Sequence, residues 1–193
     1  EEVPAVARAA AGRTLAKLGD PRPGVGVDRE TGLPDIAWVR VPAGPFLMGT
    51  TESRIAALVK QYGGEKRYYQ DEMPHHKVDL PEFHISRYPV TQRQFRAFVE
   101  ANGYSVPSYW REAEEAGLWH AGTLKKTTYR MREGNIEPIE EEMAGPVTYA
   151  EPYDLDNHPV VGVTWYEALA FCRWLDDLWR EGRLAVRAGE VQV

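Results

Sequence analysis

The stretch "NHPVVGVTWYEALAFCRWLDDLWREG" (157–182) constrains this chain more than any other. Its start reads as a turn and a short strand. Thr164 then stands three residues before Glu167, the spacing of a capping box, in which each side chain satisfies an orphan backbone N–H of the helix start. A long amphipathic helix follows, and a helix of that kind is stable only when its apolar face is buried against other elements. With 193 residues there is enough chain for one sizeable domain. A hydrophobic content of 43 % and six tryptophans point to a packed core and not to disorder.

Upstream, "PAVARAAAGRTLAKL" (4–18) predicts an alanine-rich helix with Val6, Ala10, Leu15 and Leu18 near one face and Gly19 as its C-cap. The proline- and glycine-rich "PRPGVGVDRETGLPD" reads as an ordered loop or linker, so residues 1–35 form a leader and 36–193 the main domain. In "WVRVPAGPFLMG", Trp38–Val41 and Pro45–Met48 are expected to be two short strands joined as a hairpin by Pro42-Ala43-Gly44. A helix is predicted near 51–62, with Ile55, Leu58 and Val59 inward, and strand pieces at Lys77–Leu80 and Phe83–Arg87. Thr91 should cap a second main helix that buries Phe95, Phe98 and Val99 and ends at Gly103. From 105 to 156 the pattern weakens into a possible short helix and a long excursion carrying a basic and then an acidic cluster. The class is α+β.

Charge and cysteine usage narrow the setting. A net charge of −6 offers no general attraction to nucleic acid or anionic membrane, and no run of 18 apolar residues would span a bilayer. No signal peptide is visible in "EEVPAVARAAAG". One cysteine cannot form an internal disulfide, and together these features predict a reducing, cytoplasmic setting.

Three separated segments, "WVRVPAGPFLMG" (38–49), "DEMPHHKVDLPEFHISRYPVTQRQFRAFVEANGY" (71–104) and "NHPVVGVTWYEALAFCRWL" (157–175), resemble the formylglycine-generating enzyme family, also called the sulfatase-modifying factor domain, in order and spacing. The resemblance implies a C-type-lectin-like fold with two main helices, short antiparallel strands and much irregular loop. It also implies that 36–193 is the N-terminal part of such a domain. The apolar faces of Val191, Val193 and the 164–179 helix would then lack their cover, so the C-terminal half is expected as a second polypeptide, nicked or separate, packed on this one.

What the resemblance implies about function divides in two. Many members serve as ligand- or protein-binding modules in larger bacterial signalling or defence proteins, or as variable proteins of diversity-generating retroelements. Oxidase members convert a sulfatase cysteine to formylglycine with copper at a cysteine pair, which would lie in the absent half. The binding module is the preferred expectation. Its surface could include Tyr109, Trp110, Trp119 and Tyr129, although core or rim packing is the simpler role for each.

Other chemistry looks weak. Cys172, between Phe171 and Trp174, is expected to be a buried structural thiol; alone it cannot make a copper(I)-thiolate site. His75, His76 and His84 lack metal-ligand spacing across "LPEF", and His158 reads as a turn residue. No catalytic, cofactor or metal residue is therefore assigned to this chain. Calcium, which the family often binds, is expected in the completed domain and not at "DLDN" (154–157). Glu137, Glu140, Glu141 and Glu142 read as a solvated face, and Lys125, Lys126, Arg130 and Arg132 are too few for a nucleic-acid site.

Overall fold

The computed structural model describes residues 3–132, 134–184 and 187–189. In chain order the elements are α1 (Ala5–Leu18), β1 (Ala37–Val41), β2 (Gly44–Met48), α2 (Glu52–Tyr62), α3 (Arg67–Gln70), β3 (His76–Leu80), β4 (Phe83–Ser86), α4 (Gln92–Glu100), α5 (Arg111–Glu115), β5 (Trp119–His120), β6 (Thr123–Arg132), β7 (Asn135–Met143), α6 (Trp165–Arg180) and β8 (Arg187–Gly189). The architecture is α+β with short antiparallel pairings, as expected. Val191 and Val193, which were expected to lack cover, lie outside the described residues.

The chain divides into two compact units, one formed by Glu1–Trp38 with Ser86–Gly189 and the other built on Val39–Ile85. The first holds the main core, where α4 and α6 bring Phe95, Phe98, Phe171 and Trp174 together with Tyr104, Trp110 and Leu124. Both helices start at full capping boxes, Thr91 with Gln94 and Thr164 with Glu167. Gly103 does not end α4; Asn102 takes the left-handed turn at φ 55°. Gly103 is instead pressed against the Phe98 ring, where a Cβ would lie 1.9 Å from Cε2.

The proline- and glycine-rich leader is an ordered part of this unit. Val25 and Ile36 are buried. Gln94 Nε2 donates to the carbonyls of Gly24 (3.2 Å) and Asp35 (2.6 Å), and the Thr91 hydroxyl donates to the Val25 carbonyl at 2.9 Å. The capping box of α4 is thereby also the docking point of the leader. α1, by contrast, has no fully buried residue; on its expected apolar face Leu15 is half-buried while Val6 and Leu18 are exposed.

The hairpin expected from Pro42-Ala43-Gly44 does not form. β1 lies beside β4, whereas β2 pairs antiparallel with β3, Gly44 opposite Leu80 and Met48 opposite His76. The turn residues bend the chain there, but each strand finds its partner well downstream, β2 at residues 28 to 36 positions away. The excursion at 123–143 is a β-ribbon: β6 and β7 pair from Leu124–Met143 to Arg132–Asn135, with Gly134 at φ 84° at its end. Its basic and acidic clusters face each other across the ribbon, as Lys125–Glu140 (2.6 Å) and Arg130–Glu141 (2.7 Å).

Candidate functional site

The first turn of α6 is anchored by a buried polar cluster. Glu167 is fully buried. Its Oε2 accepts from the Thr164 backbone N–H at 2.7 Å, while Oε1 accepts from both the Lys126 ammonium and the Tyr104 hydroxyl. Lys126 also donates to the Gly145 carbonyl at 2.6 Å. Burial pushes the Tyr104 phenol well above its ordinary value, and the Glu167 carboxylate beside it adds to the shift. The Lys126 ammonium is lowered by burial, against which Glu167 acts. This cluster ties the ribbon, the 103–105 turn and α6 together at one point. Sequence reading grouped Lys126 with Lys125, Arg130 and Arg132 and assigned it no buried partner; the alternation of β6, which points Leu124 and Lys126 to the same side, was the available signal.

Three of the four aromatic residues considered for a binding surface belong to the core. Tyr109, Trp110 and Trp119 are buried. The Trp110 indole donates to the Gly103 carbonyl and the Trp119 indole to the Tyr104 carbonyl, each at 3.0 Å. The two indoles stack with centroids 6.4 Å apart. A buried indole needs such an acceptor, and these tryptophans close the 103–119 loop onto α4 instead of facing a ligand. Tyr129 alone is exposed, on the outer half of the ribbon, on one face with Met131, Ile136 and Pro138.

The opposite side of α6 carries the feature that sequence reading missed. Glu167, Ala170, Phe171, Trp174, Leu175 and Leu178 face the core. On the other side Trp165 (64 % exposed), Ala168, Cys172 and Trp179 (58 % exposed) form an exposed stripe at positions i, i+3, i+7 and i+14. Cys172 is thus solvent-accessible, not a buried thiol; neighbouring atoms nonetheless crowd it enough that desolvation pushes the thiol upward. The helical phase of Cys172, one residue past Phe171 and opposite Trp174, was legible in the sequence.

Beside the stripe, Arg173 grips Glu112 with two bonds of 2.6 Å and donates to the Tyr109 carbonyl at 2.8 Å. The guanidinium holds the Glu112 carboxyl at about 2, against an ordinary 4.5. A depressed carboxyl contributes stability that is present above its unfolded value and lost as pH falls through the folded one. The Arg173–Glu112 tie is therefore expected to release between pH 4.5 and about 2. An NMR titration of the Glu112 carboxyl with a midpoint near 4.5 would refute this.

Comparison with known proteins fits this geometry. A profile for the sulfatase-modifying factor enzyme 1-like domain matches residues 28–192. The chain belongs to this family. It is 32 % identical over 163 residues to the hercynine oxygenase of Mycolicibacterium smegmatis, covering 81 % of this chain and 32 % of that protein. Over 160 residues it is 28 % identical to the formylglycine-generating enzyme of Bos taurus, covering 73 % and 36 %. A serine/threonine-protein kinase Pkn1 of Chlamydia trachomatis is 33 % identical over 108 residues, 55 % of this chain but 14 % of that protein. The chain spans about a third of the length of the oxygenase and the formylglycine-generating enzyme.

The family's copper chemistry does not fit the residues here. A copper(I)-thiolate site needs two soft ligands, and Cys172 is the one cysteine in the sequence. Among the described residues no group of three or more His, Cys, Asp or Glu is placed to hold a metal. In the 154–157 stretch Asp156 pairs with Arg96 at 2.7 Å, and the Asn157 amide donates to the Gly12 carbonyl and to Asp20. His158 Nδ1 lies 2.9 Å from Asn157 Oδ1, the local contact expected of a turn residue. No helix among the described residues is long and apolar enough to cross a membrane.

Proposed function

We propose that this chain is the scaffold portion of a ligand- or protein-binding module of the sulfatase-modifying factor type, and that the outer face of α6 receives the remainder of the domain as a second polypeptide. The observation that carries this reading is the exposed Trp165–Ala168–Cys172–Trp179 stripe. Two tryptophans seven residues either side of a cysteine, opposite the core face, put apolar surface on the outer side of α6 as well, interrupted there by the Asp176–Arg180 ion pair. Helices of that kind are covered in the finished assembly. The Pkn1 relative, in which the matched region is a small fraction of the protein, supports a module carried within a larger protein.

The test uses Cys172 as a reporter. In the chain alone its thiol should alkylate readily, and Trp165 and Trp179 should add a solvent-exposed component to the emission of the buried indoles. With the remainder of the domain present, alkylation should slow by at least about tenfold, the emission should shift to the blue, and native mass spectrometry should show both polypeptides together. Equal alkylation with and without the remainder would refute the proposed cover.

A second reading is favoured by the hercynine oxygenase and formylglycine-generating enzyme relatives: an oxidase whose soft metal ligands reside in the remainder. Supplying the completed domain with copper(I), oxygen, a thiol reductant and a cysteine peptide of a sulfatase tests the formylglycine-forming version of this reading. Aldehyde trapped by a hydroxylamine probe supports the oxidase, and its absence rules that version out.

A further inference from the structure

The Val39–Ile85 unit contains a depression that none of the motifs above explains. It has a volume of about 550 Å³ and is lined by Leu47, Gly49, Thr50, Arg54, Leu58, Glu72 and His75. That size suits a small molecule. Its walls are held by backbone contacts. The Thr50 N–H donates to the Glu72 carbonyl at 3.0 Å, and β2 continues into its pairing with β3 at Met48–His76. Gly49, at φ 84°, lies so close to the 72–74 backbone that a Cβ would sit 2.5 Å from the carbonyl oxygens of Glu72 and Pro74. α2 supplies the remaining wall. Thr51 caps it by accepting from the Arg54 N–H, and Arg54 and Leu58 stand one turn apart on one face.

Three side chains that line this depression have no hydrogen-bond or ion-pair partner among the described residues. Thr50 is 4 % exposed, and its hydroxyl is buried with no hydrogen-bond partner. The unit's other arginines are engaged, Arg40 with Glu82 and Arg67 with Glu65. The side chains of Arg54 and Glu72, although both line the depression, share no ion pair with each other and carry none to another described residue.

We propose that this depression binds a free α-amino acid with an aliphatic side chain. The ligand's carboxylate meets the Arg54 guanidinium, whose planar fork suits it. Its ammonium meets the Glu72 carboxylate. Its side chain lies against Leu47 and Leu58. A simple anion would face Glu72 and a simple cation would face Arg54. A residue inside a peptide chain presents neither charge.

Ligand-observed NMR and calorimetry on the full chain test this with L-leucine, 4-methylpentanoate, which lacks the ammonium, and 3-methylbutylamine, which lacks the carboxylate. Leucine is expected to bind saturably in the ~1 mM range or tighter, and each half-ligand at least about tenfold more weakly. Arg54→Gln and Glu72→Gln alter exposed side chains and should each weaken leucine by about tenfold with an unchanged circular dichroism spectrum. Should either variant lose its fold, the half-ligand comparison on the unsubstituted chain still decides. The proposal is overturned by non-saturable leucine binding, by 4-methylpentanoate binding as tightly as leucine, or by leucine binding that survives both substitutions.

Discussion

Glu167→Ala is expected to lower the melting temperature by roughly 10 °C, corresponding to about 3–5 kcal/mol. Three interactions end at that carboxylate. Without it the Lys126 ammonium keeps only the Gly145 carbonyl, the Tyr104 hydroxyl has no acceptor, and the Thr164 N–H at the start of α6 loses its cap. The largest share of the loss is the buried, unpaired ammonium, since one charge left alone in a core costs far more than the pair gained. Lys126→Met should be comparably damaging, because it leaves the carboxylate buried without its countercharge. The double variant Lys126→Met/Glu167→Gln removes both charges while keeping a cap for Thr164, and should recover much of the loss. Calorimetric melting of the wild type, Lys126→Met, Glu167→Gln and the double variant closes a cycle and gives the coupling. Single variants that each lose less than ~1 kcal/mol would mean the cluster does not hold α6 as described.

Phe98→Ala is expected to cost about 3–5 kcal/mol. The Phe98 ring is fully buried and lies within 5.5–6.3 Å, centroid to centroid, of Phe95, Tyr104, Tyr109, Trp110, Phe171 and Trp174. Removing it opens a cavity at the junction of α4, α6 and the 103–110 loop, where rigid rings on all sides resist collapse. Gly103 provides an internal control. Gly103→Ala alone should destabilise, because the new methyl would collide with the Phe98 ring. In the Phe98→Ala background the same methyl enters the cavity, so the pair should be less damaging than the sum. Denaturant melts of the four proteins test this, and strict additivity would contradict the packing described.

Much of the helical content was legible in the residues. Thr91 and Thr164 announce their helices through side chains that bond only three residues away, and Phe95, Phe98, Phe171 and Trp174 lie on the periodic inner faces. The three family motifs were equally legible, and the family profile agrees with them. The pairing of β1 and β2 was not, since Pro42-Ala43-Gly44 specifies a bend but not which strand lies beside which. The placement of the candidate surface residues was not legible either. An aromatic side chain such as Trp110 or Tyr109 has the same composition signal in a core as at a binding surface, and only the neighbours of the 103–119 loop separate the two.

The sequence by itself determined the family, the α+β class, and the start and inner face of α4 and α6, because capping and helical periodicity act over three to four residues. The tertiary structure decided what depends on contacts distant along the chain. It buried Lys126 against Glu167, 41 residues away, and left Arg54 and Glu72 lining one depression with no ion pair between them. Each is a question of which groups meet after the chain has closed on itself, and local propensity carries no information about that.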